Sequence, residues 1–135
     1  MNWKVIFTLA CFGILMGVAS LFGLTRMPVE PILWFLIALF SAYWIAENTP
    51  AKPFMHGLVA GVFIGVFNSV IQSAFFEMYL SHNPMAEEGF RQIPGGIPVR
   101  LFPLMVGPAI GVAYGLVVGL LSLLATKLFK KPTAK

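Results

Sequence analysis

The amino-acid sequence predicts an all-α, polytopic membrane protein with four transmembrane helices that pack along glycine stripes. Three observations predict it. Of the 135 residues, 59% are hydrophobic and 10% are charged, whereas a soluble domain carries about 25% charge. A soluble fold of this size could not hide so much apolar surface, but lipid can solvate it. The apolar residues also gather into runs close to the ~20 residues that a helix needs to cross a bilayer. Finally, glycine recurs at every fourth residue inside those runs, so positions without side chains fall on one helix face.

The first run covers residues 5–24, carries no charge and stops at Arg26, Met27 and Pro28. Lys4 ahead of an apolar stretch resembles the start of a signal peptide. The lipoprotein-like box Thr8-Leu9-Ala10-Cys11 lacks a Leu three residues before Cys11 and follows too little apolar sequence, so the run reads as a first membrane helix. A lone Cys11 offers no disulfide or CxxC pair and reads as a packing residue. The second run, residues 29–48, is short, which places Trp34, Tyr43 and Trp44 near the interfaces as an aromatic belt. Pro50 and Pro53 then force a turn.

The third run, residues 54–80, is the most polar. The fourth, residues 101–128, is long enough to cross with a tilt, and its Pro108 removes a backbone donor and predicts a kink. The four runs form a single transmembrane domain over residues 1–135, with the basic tail of Lys127, Lys130, Lys131 and Lys135 in water. Between the third and fourth runs lies an exterior loop, residues 81–100. Its Asn83 and Pro84 read as a helix N-cap and first helical position. Glu87 and Glu88 suit the positive end of the dipole. A short helix to about residue 92 follows, with Met85 and Phe90 dipping into the interface, and a turn-rich stretch leads into the last run.

An even number of spans puts both termini on one side. With the second loop they hold six lysines, against three arginines (Arg26, Arg91 and Arg100) in the first and third loops. That asymmetry predicts cytoplasmic termini and, with no eukaryotic targeting signal, a bacterial inner membrane. The net charge of +4 sits at the run ends, where it marks topology and headgroup contact; nucleic acid is not an expected partner.

The glycine stripes are Gly57, Gly61 and Gly65, continued by Ser69 and Ser73, and Gly107, Gly111, Gly115 and Gly119. The first run adds Gly13 with Gly17, and Ala19 with Gly23. Such stripes let backbones approach closely in lipid, where dispersion drives association. The third and fourth helices are the default partners, and an unused stripe could form a homo-oligomer or seat a membrane-protein partner.

Asn68, Ser69 and Gln72 fall near the glycine face of the third run, and Tyr114 falls on that of the fourth, within reach of Asn68 or Gln72. These four residues are candidates either for interhelical glue that fixes register or for a small polar cavity. None is ionisable near neutral pH, unlike the carboxylate or His expected of a proton-coupled transporter. His82 with Glu77, Glu87 and Glu88 could gather on the loop side, but their spacing matches no metal motif, and His56 lies at the opposite end. No catalytic residue, metal or cofactor is assigned.

The segments Tyr79-Leu80-Ser81-His82-Asn83-Pro84, Pro94-Gly95-Gly96 and Gly107-Pro108 resemble small four-helix bacterial membrane proteins that carry no assigned activity. The resemblance covers the second half of the chain and implies a fold only. Three readings of function stand: a non-catalytic membrane protein acting through helix packing, as accessory subunit or homo-oligomer; a small solute or ion transporter or channel lined by the third and fourth helices; and, last, a membrane enzyme using the exterior cluster of His82 and the glutamates.

Overall fold

A computed structural model describes residues 1–129, which fold into helices and turns with no strand among them. In chain order these are α1 (Trp3–Leu21), α2 (Val29–Asn48), α3 (Pro53–Ala74), α4 (Phe76–His82), α5 (Pro84–Arg91), a 3-10 turn (Val99–Leu101) and α6 (Phe102–Leu128). Four of them, α1, α2, α3 and α6, are long and apolar enough to cross a membrane. Lys130, Lys131 and Lys135 of the basic tail lie outside the described residues.

The ends of the long helices follow from local chemistry, in places against expectation. α1 begins where the Asn2 side chain accepts from the Val5 N–H at 3.4 Å. It stops at Leu21, three residues before the expected residue 24. Gly23 takes a left-handed φ of 68°, open to glycine at little cost. Its N–H bonds the Ser20 carbonyl and the Leu24 N–H bonds the Ala19 carbonyl, both at 3.1 Å, which is a Schellman closure. Ala19 and Gly23 therefore do not form a helical stripe. At the other end of the bundle, the Asn2 N–H donates to His56 Nε2 at 2.9 Å. His56 Nδ1 stands 2.7 Å from the Lys52 carbonyl. A carbonyl only accepts, so Nδ1 carries the proton, and the ring ties the N-terminus to the start of α3.

The third apolar run is not one helix to residue 80. It breaks at Phe75, whose φ and ψ are −112° and 42°. The cause lies far along the chain. Arg100 donates from Nε to the Ser73 carbonyl at 3.1 Å and from Nη2 to the Ala74 carbonyl at 2.9 Å. Those carbonyls are thereby satisfied without the next helical turn, as a basic side chain does at a helix C-terminus. Ser73 Oγ returns the contact by donating to the Arg100 carbonyl at 2.7 Å.

α5 starts at Pro84, as the sequence indicates, but Asn83 does not cap it. Its Nδ2 instead donates to the Ser20 and Tyr79 carbonyls, both at 2.7 Å, and so ties α4 to the end of α1. Arg26 reinforces this link by donating from Nη2 to the His82 carbonyl at 2.9 Å. α6 runs through Pro108 without ending.

α3 is the hub of the bundle: it packs most extensively on α6 and then on α1. α2 packs mainly on α6 and only lightly on α1, its sequence neighbour. Val5, Leu9, Ala38, Ile45, Ala60 and Val118 form the shared core, and Phe12 meets Phe40 edge-on at 5.6 Å between ring centroids. Acyl chains are as apolar as these side chains, so the core gains from contact density, at about 0.1–0.2 kcal/mol per atom pair, more than from leaving lipid.

Along the α3–α6 crossing, Gly57 lies against Gly119, Gly61 against Gly115, Gly65 against Gly111 and Ser69 against Gly107. A Cβ on Gly57 would fall 2.6 Å from the Gly119 Cα. On the other side of α3, Gly13 meets the backbone of Ile64, and a Cβ on Gly17 would fall 2.8 Å from the Cβ of Ile71. Cys11 is not a packing residue: it is exposed on the outer face of α1, its Sγ donating only to the Phe7 carbonyl of its own helix.

Candidate functional site

A cavity of about 380 Å³ lies between α2, α3 and α6, in the half of the bundle nearest α5. Typical small-molecule sites span about 300–1,000 Å³ and are mostly apolar with a few polar groups. Here Ile64, Val106 and Ile110 supply apolar wall, Phe90 and Phe102 close the loop end, and Trp34, Asn68, Gln72 and Tyr114 bring the polar atoms.

Each polar residue is held by a different element. Tyr114 does not bond Asn68 or Gln72. Its hydroxyl donates to the Trp34 carbonyl at 2.8 Å, because α6 turns this face to α2 and a helical carbonyl keeps a second lone pair free. The two rings meet edge-on at 5.2 Å, so Trp34 belongs to the cavity wall rather than to an interfacial belt alone. Gln72 reaches the other way, donating from Nε2 to Ser20 Oγ of α1 at 3.3 Å. Ser69 does not line the cavity; its hydroxyl donates to the Val66 carbonyl at 2.8 Å, and its side chain fills the space beside Gly107. Asn68 lines the cavity with its amide unbonded to any side chain or carbonyl among the described residues. The structure thus brings Asn68, Gln72 and Tyr114 together around one space and leaves Ser69 in the helix interface.

A second, shallow and largely open hollow of about 390 Å³ lies toward the loop, against Tyr79, Ala86, Gly89, Phe90, Ile93 and Phe102. Phe90 and Phe102 border both cavities. Their rings meet edge-on at 5.7 Å, and Phe76 meets Phe90 at 5.3 Å. Phe90 is thus turned onto the bundle, whereas Met85 is 82% exposed. Burial pushes the Tyr79 hydroxyl above its ordinary ionisation range, and the nearby Glu30 carboxylate adds to the shift.

The acidic and histidine residues of the loop do not converge. His82 Nδ1 stands 3.0 Å from the Met78 carbonyl, and Glu87 accepts from Arg91 Nη2 at 2.6 Å. Among the described residues no three His, Cys, Asp or Glu side chains gather as a metal site. Sequence reasoning missed Trp34, Phe90 and Phe102 as cavity residues. Phe90 carried a partial signal, since the sequence offers it with Met85 as an apolar residue of the loop helix turned to the interface.

Fold and cavity define the class: an all-helical chain with four helices able to cross a membrane and an uncharged pocket among three of them. No protein-family model, curated protein or solved structure matches it, so no activity comes from a relative.

Proposed function

We propose that this chain is a non-catalytic membrane protein that receives a small molecule in the cavity between α2, α3 and α6. The Asn68 amide carries the reading. A primary amide without partners is costly away from water, and here it faces a space of ligand size. A guest that bonds it removes that cost.

In this reading the glycine stripes serve the site. The register of α3 on α6 supports glycine-stripe packing, a glycine zipper that holds two cavity walls together. Because the stripes of α3 and α6 meet each other within one chain, they support an internal role over a homo-oligomer or partner interface. The lysine asymmetry supports cytoplasmic termini in a bacterial inner membrane, with the cavity and α5 toward the outer face.

The test is the mass of the particle released in native lipid discs, bound molecules included. Retention of one small molecule, lost in Asn68→Leu, is the expected result. A particle carrying only bulk bilayer lipid, with Asn68→Leu indistinguishable, refutes it. Transport is a second reading, favoured by the open hollow beside the cavity, which shares Phe90 and Phe102 with it. Solute uptake into proteoliposomes that rises in Phe90→Ala supports transport over simple retention.

A further inference from the structure

Resting on the reading of the cavity as a binding site, we infer that its ligand is an uncharged, largely apolar molecule with a single hydroxyl or carbonyl group. This is a narrower class than solutes or ions at large, and four observations carry it.

No charged side chain lines either cavity. An ion moved out of water needs an opposite charge or a full set of hydrogen bonds to offset its lost hydration, and neither cavity supplies them. Glu77 and Glu88 at this end of the bundle are exposed and line neither cavity, and the other charged groups there are bonded elsewhere. Arg100 is spent on the carbonyls at the end of α3. Arg26 is bonded to the His82 carbonyl, and Arg91 to Glu87. Glu30 accepts from Trp34 Nε1 at 3.4 Å. None of these is presented to the space that a guest would fill.

The polar capacity left over is small and of one kind. The Tyr114 proton is used on the Trp34 carbonyl, and one Gln72 amide N–H is used on Ser20. The whole Asn68 amide, the second Gln72 N–H and the Gln72 carbonyl oxygen remain, with the Tyr114 oxygen as a further acceptor. All belong to one patch, two amides a helical turn apart on α3 and a phenol on α6, which suits one hydroxyl or one carbonyl. A sugar carries hydroxyls all round its ring and an amino acid carries charges, and the rest of the wall would leave those groups unsatisfied.

The rest of the lining is aliphatic and aromatic, so the body of the guest is apolar. A neutral lipid of the bilayer and a smaller apolar alcohol or ketone share this chemistry.

The test uses the full chain in lipid discs, with Trp3 and Trp44 changed to Phe so that Trp34, in the cavity wall, is the sole indole. Three probes of equal chain length are compared, each brominated at its tail: bromo-octanol, bromo-octane and bromo-octane sulfonate. Bromine quenches indole fluorescence on contact. All three will quench weakly and without saturation from the bilayer. Only bromo-octanol is expected to add a saturable component, and Asn68→Leu should weaken that component about tenfold, the loss of one buried hydrogen bond. The alcohol-to-alkane comparison stands in the unchanged protein, so it survives even where the Asn68 variant fails to fold.

Saturable quenching by the sulfonate as strong as by the alcohol would overturn the uncharged class and leave the cavity reading intact. Equal saturable quenching by alcohol and alkane would overturn the single polar anchor. No saturable quenching by any probe would overturn the cavity reading itself. Organic extraction of the purified protein then separates the two sources. A retained neutral lipid or a retained smaller alcohol or ketone each supports the class, whereas a stoichiometric anionic lipid lost in Asn68→Leu overturns it.

Discussion

Gly57→Ala puts one methyl group where α3 meets α6, at the seam end remote from the cavity. The added carbon would lie 2.6 Å from both the Cα and the N of Gly119, and 2.9 Å from the carbonyl carbon of Val118. All three are backbone atoms, so no side chain can swing aside. Ordinary carbon contacts lie at about 3.5–4.0 Å, so the helices must part locally by about 1 Å. A gap of about 0.5–1 Å forfeits a quarter to a half of each contact's attraction. Over some ~40 atom pairs at about 0.15 kcal/mol each, the loss is about 1–3 kcal/mol, the usual cost of overpacking. Alanine also favours helix over glycine by up to about 1 kcal/mol, which opposes the loss. Gly89→Ala measures that opposing effect alone, because Gly89 sits in α5 with nothing within 4 Å of an added Cβ. The assay is reversible unfolding in mixed micelles of rising SDS fraction, followed by circular dichroism. Gly57→Ala should unfold at a clearly lower SDS fraction than Gly89→Ala, and Gly57→Leu lower still. Equal midpoints for the two alanine variants would refute the close approach of α3 and α6.

Four further outcomes are expected. Arg100→Met strips the α3 terminus of two hydrogen bonds from a charged donor, and the variant should lose about 1–3 kcal/mol in the same titration; full stability would show that water replaces the guanidinium. Asn83→Leu removes one of the two ties between α4 and the end of α1, leaving only Arg26 on the His82 carbonyl, and amide hydrogen exchange in residues 76–91 should accelerate while α3 stays protected. Phe90→Ala removes one of the two rings at the loop end of the cavity and should speed probe entry into the site with little change in saturation level. Lastly, ionisation of Tyr79 is opposed in the folded state, first by burial and then by Glu30. Its folded pKa is therefore above the unfolded value of about 10. The associated stability is complete below that value and is lost as pH rises through the folded pKa. A stability decline above about pH 10 that Tyr79→Phe relieves is the expected signature.

The spans were legible because a bilayer imposes length and polarity on each run separately. Pro84 opens α5 where a missing N–H does no harm, whereas Pro53, which reads as part of a turn, is itself the first residue of α3. What stayed hidden depends on partners distant in sequence. Nothing around Phe75 signals a break, because the cause is a guanidinium 25 residues further on, bonded to Ser73 and Ala74. Asn83 looks like a cap, yet carbonyls of α1 and α4 compete for its amide and win. Tyr114 bonds the Trp34 carbonyl of α2 and neither amide of α3, since nothing in the spacing says that α2 crosses to that side. Asn68 and Gln72 stood out as amides in an apolar run; the aromatic residues that enclose the space beside them did not, because Phe and Trp are unremarkable in a membrane helix.

The preference of α2 for α6 over α1 has a consequence for biogenesis. A chain made from its N-terminus delivers α1, α2 and α3 to the membrane while α6 is still inside the ribosome. α1 finds its main neighbour as soon as α3 arrives, but α2 must wait for the last helix to be inserted. Until then, Trp34 has no Tyr114 to pack on and the cavity has only part of its wall. Nascent chains arrested before α6 would therefore hold a docked α1–α3 pair beside an α2 that still lacks its main neighbour.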